Sequence, residues 1–184
     1  MILTIFYVTI PMKTNIKQLT SLGLLASIML ILGYIEKLFP LVPAMPAIRL
    51  GLSNIVLLFA MVLINPKSTW YLLTIKILLG GLLFMGPFGT IYTAVGSFTS
   101  LIVMLLLYKS KALHFIGISV AGSIAHTIAQ ALVAIPLLGL GVVMAYAPIL
   151  LVSALVSGAG IGIVSQKVIS HMKKINYQFN DNKK

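Results

Sequence analysis

Five polar side chains stand inside otherwise apolar stretches of this sequence: Arg49, Asn54, Lys76, His126 and Gln130. Ionisable groups within a membrane span are costly and by default mark a functional site. His126 and Gln130 are four residues apart, so a helix would bring them to one face. The two cations favour a negatively charged ligand. We therefore predict that the five side chains line one binding pocket for an anion.

Each of these side chains also has a structural interpretation. The stems of the two cations can extend towards the lipid headgroups. The imidazole of His126 can bond to a backbone carbonyl of a neighbouring helix, and the two amides can link helices by hydrogen bonds. Glu36 is a candidate counter-ion for Arg49, and that pairing would weaken the case for an anion site.

Composition excludes most soluble and catalytic functions. The chain has 184 residues, of which 60% are hydrophobic and 8% charged, whereas soluble domains are about 25% charged. It has no cysteine, which rules out thiolate metal sites and cysteine nucleophiles. Glu36 and Asp181 are its two acids, too few for an acidic cluster that holds Mg²⁺ against a diphosphate. We predict a membrane protein that is not an enzyme and has no catalytic residue, metal or cofactor.

Apolar stretches separated by polar breaks predict an all-α integral membrane protein, a bundle of six transmembrane helices. The predicted spans are 19–39, 48–64, 69–84, 90–108, 113–136 and 141–169. Residues 1–18 form an N-terminal cytoplasmic or interfacial segment. Residues 19–170 form a single membrane domain, and residues 171–184 form a basic, polar cytoplasmic tail.

The distribution of basic residues predicts the orientation. With the N-terminus in the cytoplasm, ten lysines fall on the cytoplasmic side, and Lys37 and Arg49 fall on the other side. This asymmetry follows the positive-inside rule and puts both termini in the cytoplasm. The lysines lie between apolar stretches, which favours an anionic lipid bilayer over nucleic acid as the partner. The expected location is the plasma membrane.

Small residues and prolines indicate how the helices pack. Small residues recur every four positions in the last two spans, at Gly117, Ala121, Ala125 and Ala129 and at Ala154, Gly158 and Gly162. This spacing lets helices approach closely in lipid. Gly23 and Ser27 form a similar ridge on the first span, which is the candidate docking surface for a partner protein. The proline-rich segment 40–47 is the candidate roof of the pocket.

The motifs PAIRLGLSN, KILLGG and GSIAHTIAQ occur in the order typical of one family. Over residues 15–170 the chain resembles the Gx transporter family, also labelled heptaprenyl diphosphate synthase component I. The matching residues are Leu50, Gly51, Leu52, Asn54, Gly80, Gly81, His126 and Gln130, with basic character kept at Arg49 and Lys76. Ala47, Thr127 and Ala129 depart from the usual pattern, which leaves the substrate open.

The family is similar to the substrate-binding S components of energy-coupling factor (ECF) transporters. The resemblance implies capture of a small molecule, docking on a transmembrane coupling subunit and reliance on cytoplasmic ATPases. The ligand it suggests is anionic or amphipathic and related to isoprenoids or quinones. Two alternatives stay open: a membrane subunit of a flavin- or quinone-linked electron-transfer assembly, and a non-catalytic membrane partner in prenyl diphosphate metabolism.

Overall fold

The computed structural model describes residues 16–38, 52–64, 66–84, 86–111 and 113–181. These residues are helical apart from short turns, and no strand occurs among them. The helices are α1 (Ile16–Leu38), α2 (Asn54–Leu63), α3 (Pro66–Ile75), α4 (Gly81–Phe84), α5 (Gly86–Ser110), α6 (Phe115–Leu138) and α7 (Leu140–Asp181). A π-helical turn, Lys76–Gly80, joins α3 to α4. The predicted all-α fold is confirmed.

Four of the described helices are long and apolar enough to cross a membrane: α1, α5, α6 and the part of α7 up to His171. They coincide with the first, fourth, fifth and sixth predicted spans, as expected for a membrane protein. In the second predicted span, α2 has ten residues. The third consists of α3, the π turn and α4. The count of six spans and the orientation of the termini stay predictions.

The last helix is longer than the predicted span. It begins at Leu140 and continues to Asp181, through most of the segment assigned to a polar tail. Neither glycine nor proline occurs after Gly162, so the sequence contains no strong helix-terminating residue there.

Helices α6 and α7 pack closely because two glycines of α7 face the backbone of α6. A Cβ atom on Gly158 would lie 2.8 Å from the Cα of Val120, and one on Gly162 would lie 2.6 Å from the Cα of Ile116. Real Cβ atoms do not approach so closely, so glycine is needed at both positions. The ridge formed by Gly158 and Gly162 is thus used for packing within this chain.

A second contact joins α5 to α6. A Cβ atom on Gly122 would lie 2.6 Å from the Cγ of Met104 and 3.2 Å from the Oγ of Ser100. The apolar core lies beside this contact, among α1, α2, α3 and α5, where Met29, Leu57, Leu72 and Leu101 are buried. These contacts fix α2, the π turn and α6 relative to one another, and these three elements carry the described site residues.

Candidate ligand-binding site

Lys76 is the first residue of the π turn between α3 and α4. Its side chain is 6% exposed and Gly80 is also buried, whereas Leu78 and Leu79 are exposed. The turn therefore directs the ammonium inwards and two leucines outwards. Single π turns within helices are frequent at functional sites. The structure places Lys76 inside the bundle, and its stem does not extend to the surface as the alternative interpretation required.

The ammonium of Lys76 contacts the first residue of α2. Its Nζ donates a hydrogen bond to the Oδ1 of Asn54 at 2.7 Å, and both side chains are buried. A hydrogen bond with a charged donor is stronger than one between neutral groups. The Nδ2 of the same amide is buried and makes no hydrogen bond within the described part of the chain. The bond brings together two of the five predicted site residues.

Glu36, on α1, also reaches the start of α2. Its carboxylate accepts hydrogen bonds from the backbone N–H of Leu52 and from the Oγ of Ser53, the latter at 3.4 Å. The amino end of a helix carries partial positive charge, which stabilises a carboxylate there. Sequence reasoning considered Glu36 as a counter-ion for Arg49 and missed this role. Arg49 lies outside the described residues, as does the predicted roof 40–47.

A small cavity adjoins Lys76 between α1 and the π turn. It has a volume of about 10 Å³, and Lys76, Ser53, Gly33 and Phe84 are among the residues that line it. A cavity of this size holds about one water molecule. The described residues thus enclose the ammonium closely, and a larger ligand would require its walls to separate.

His126 and Gln130 face α5 from one side of α6. Both are buried, and both contact Gly96. A Cβ atom there would lie 2.9 Å from the Cε1 of His126 and 2.9 Å from the Cγ of Gln130. The predicted common face of these two side chains is confirmed. It is turned towards a neighbouring helix, and Gly96 makes room for it.

The polar region continues along α5 and α6 beyond the predicted residues. The additional buried polar side chains are Thr93, Ser97 and Ser100 on α5 and Ser119, Ser123 and Thr127 on α6. The spacing of three or four residues in each set is the signal that could have identified them from the sequence.

Helix α5 links the two halves of the region, because it contacts both the π turn and α6. Four of the predicted site residues, Asn54, Lys76, His126 and Gln130, therefore belong to one buried polar region that reaches from α2 and the π turn to α6. Their role in ligand binding stays a prediction.

A match to a known protein family covers the whole buried polar region. The family described as heptaprenyl diphosphate synthase component I matches residues 25–168. The chain belongs to this family. The matched segment includes the buried polar region and most of α7. No curated protein matches the chain.

The predicted docking ridge lies where this family match begins, with Gly23 two residues before it and Ser27 inside it. Both residues are exposed on α1. The Oγ of Ser27 donates to the backbone carbonyl of Gly23 at 3.0 Å, so its hydroxyl is satisfied within the helix. A Cβ atom on Gly23 would meet no atom within 4 Å. The ridge is thus an open surface of α1.

Proposed function

We propose that this protein is the substrate-capture subunit, similar to an S component, of an ECF-type uptake transporter in the plasma membrane. The observation that carries the proposal is the buried Lys76 ammonium, held by Asn54 beside a cavity. A charge within a membrane protein is expensive, and such charges mark substrate pathways by default. Here the charge lies at a π turn, where the backbone can rearrange locally.

The ligand that we propose is an anionic or amphipathic small molecule related to isoprenoids or quinones, and the walls of the cavity would have to separate to admit it. An anionic headgroup would interact with Lys76 at low dielectric, where Coulomb attraction is strong and salt screens it little. His126 and Gln130 would supply further hydrogen-bonding groups. The apolar residues that line the cavity, Met29 and Phe84 among them, suit a hydrocarbon portion of the ligand.

The sequence supports a role in binding the substrate without hydrolysing ATP. The chain contains no Walker A motif, and we propose that it has no catalytic activity of its own. Cytoplasmic ATPases and a transmembrane coupling subunit would supply the energy. The exposed ridge of Gly23 and Ser27 is our proposed docking surface for the coupling subunit, because small residues allow close helix contact in lipid.

Co-purification from native membranes tests the docking surface. We expect the wild-type chain to recover a transmembrane coupling subunit together with ATPases, and the double variant Gly23→Leu, Ser27→Leu to lose both. Gly160→Leu is the matched control, because Gly160 is exposed on α7 and a Cβ atom there meets nothing within 4 Å. Failure to recover a coupling subunit with the wild-type chain would overturn the proposal.

Mass spectrometry of co-purified small molecules tests the pocket. We expect an anionic compound to accompany the wild-type chain and to be depleted in Lys76→Met, which removes the positive charge. Gln130→Leu removes a neutral group and should deplete the compound less. Equal recovery from wild type and Lys76→Met would show that Lys76 does not hold the ligand.

The family's description as heptaprenyl diphosphate synthase component I supports a second candidate, a non-catalytic membrane partner in prenyl diphosphate metabolism. The two acids of the chain are too few for the Mg²⁺ cluster of a synthase, so catalysis would rest with a soluble partner. The same co-purification separates the candidates. Recovery of a soluble prenyl diphosphate synthase in place of ATPases would favour this second function.

A further inference from the structure

The contact between α1 and the π turn leaves a gap beside two glycines. Gly33 lines the cavity beside Lys76, yet a Cβ atom on it would meet no atom within 4 Å. On the opposite wall, a Cβ atom on Gly80 would find Leu30 as its nearest neighbour, at 3.9 Å from the Cδ2 atom. Two glycines thus face a narrow gap, which we call the α1 slit and define by Leu30, Gly33, Gly80 and Phe84.

An aromatic pair lies at one end of the α1 slit. The rings of Tyr34 on α1 and Phe84 on α4 have centroids 5.5 Å apart and are tilted by 50°. Phe84 also lines the cavity. Phe84 and Lys76 therefore border the same cavity, and the aromatic pair joins the two walls of the slit beside it.

Exposed aromatic and aliphatic side chains lie beside the α1 slit. Tyr34 is 47% exposed and Leu83 is 62% exposed. In a membrane-spanning bundle, exposed apolar side chains on these helices contact lipid tails. The inner end of the slit is polar, because Lys76 and Ser53 line the cavity there. The carboxylate of Glu36 is engaged by the start of α2.

We propose that the α1 slit is a lateral entrance through which an amphiphilic anion reaches Lys76 from the bilayer, with Tyr34 and Phe84 as its gate. The headgroup would bind Lys76, and the hydrocarbon chain would lie along Leu30, Gly33 and Phe84. This inference rests on the proposed function and adds the physical class of the ligand and its route.

The gate is closed in this structure, and opening it requires α1 to move. The cavity of about 10 Å³ does not hold a hydrocarbon chain. In the apolar parts of α1 and α7, 17% of the residues are buried, compared with 50% in α6, so a movement of α1 would break less packing than a movement of α6. Separation of Tyr34 from Phe84 breaks one aromatic contact.

Photolabelling in vesicles tests the route. The full chain is reconstituted in phosphatidylcholine vesicles that contain hexadecyl phosphate with a diazirine on a carbon near the phosphate, and labelled residues are mapped by mass spectrometry. We expect labels on Leu30, Tyr34 or Phe84, with inorganic phosphate in the buffer unable to prevent them. Gly33→Phe, which fills the slit, should reduce labelling at least tenfold. Gly160→Phe on α7 is the matched control.

A second variant guards against a folding defect in Gly33→Phe. Tyr34→Ala removes half of the gate and should speed labelling several-fold while its final extent stays the same. Unchanged labelling in both variants, or complete suppression by inorganic phosphate, would overturn the lateral entrance. If labelling is lost in Lys76→Met but kept in Gly33→Phe, the result supports binding at Lys76 and contradicts entry through the α1 slit. Recovery of the coupling subunit tests the proposed function separately.

Discussion

The Nζ of Lys76 lies 2.7 Å from the Oδ1 of Asn54, and this hydrogen bond ties the π turn to the first residue of α2. Both groups are buried, so the bond forms where bulk water does not compete for the ammonium. A charged donor in such a place costs much desolvation energy and is tolerated only when hydrogen bonds compensate. The amide of Asn54 thus helps the bundle to accommodate a charge near the proposed ligand.

The first prediction is energetic coupling between these two residues. Asn54→Leu should destabilise the chain more than Lys76→Met. The first variant removes a hydrogen-bond acceptor from a buried ammonium, whereas the second removes the ammonium and leaves the neutral amide of Asn54 without its donor. The effect of the double variant should be smaller than the sum of the single effects by about 1.5–3 kcal/mol, the usual strength of a hydrogen bond to a charged group. Titration with sodium dodecyl sulphate, followed by circular dichroism, measures these free energies of unfolding.

Thr74→Val provides the control for this cycle. The hydroxyl of Thr74 is exposed and donates to the carbonyl of Trp70 within its own helix. Its combination with Asn54→Leu should therefore be additive. Additivity in the Lys76 cycle too would contradict a stabilising role for the bond.

The second prediction concerns Glu36 and the start of α2. Glu36→Gln keeps an oxygen that can accept from the N–H of Leu52 and loses the attraction to the helix end, about 0.3–1 kcal/mol. Glu36→Leu leaves the half-buried N–H of Leu52 and the buried hydroxyl of Ser53 without this acceptor, and an unsatisfied group that is fully buried costs about 1–3 kcal/mol. In the same unfolding titration, the free energy of unfolding should be clearly lower for Glu36→Leu than for Glu36→Gln. Equal losses would mean that charge alone matters at this position.

Hydropathy predicted the long helices because each is a single apolar run. The spans expected at 90–108 and 113–136 correspond to Gly86–Ser110 and Phe115–Leu138, with ends shifted by two to four residues. Hydropathy could not predict where α3 ends and the π turn begins. It depends on residue type alone, and the change from an α-helix to a π-helix is a change of backbone hydrogen bonding. The continuation of α7 to Asp181 was missed because polarity identifies where a membrane ends and does not show where a helix ends.

The candidate site was predictable where one residue was unusual by itself. Lys76, His126 and Gln130 stood out in apolar sequence, and the structure buries all three. The role of Glu36 was not predictable, because it depends on α1 lying beside the start of α2. The buried serines of α5 were missed because a single serine is common in membrane helices, and only their shared direction towards α6 distinguishes them.

The third prediction concerns topology. The chain has no cysteine, so single cysteines can be introduced without background. Pro87 and Leu138 are exposed at helix ends, and the positive-inside rule puts both outside the cell. It also puts Ala44 there, which lies outside the described residues. We replace each of the three by cysteine. All three should react with an impermeant maleimide in intact cells. Ser110→Cys should react only after the cells are permeabilised, and the opposite pattern would invert the orientation.

The fourth prediction tests the close contact between α6 and α7. Gly158→Ala and Gly162→Ala introduce methyl groups that would lie 2.8 Å and 2.6 Å from backbone atoms of Val120 and Ile116. Backbone cannot rotate away as a side chain can, so the helices must separate. Overpacking of this kind costs about 1–3 kcal/mol, and we expect both variants to unfold at lower detergent concentration than wild type.

Gly160→Ala is the matched control for this prediction, because Gly160 lies between the two contact glycines on the same helix. A Cβ atom there meets no atom within 4 Å, so the methyl group encounters no steric conflict. Alanine is the better helix former by about 0.5–1 kcal/mol, and Gly160→Ala should leave the free energy of unfolding unchanged or raise it slightly. If all three variants shifted the unfolding curve equally, helix propensity rather than close packing would explain the effect, and the glycine ridge would not be what holds α7 against α6.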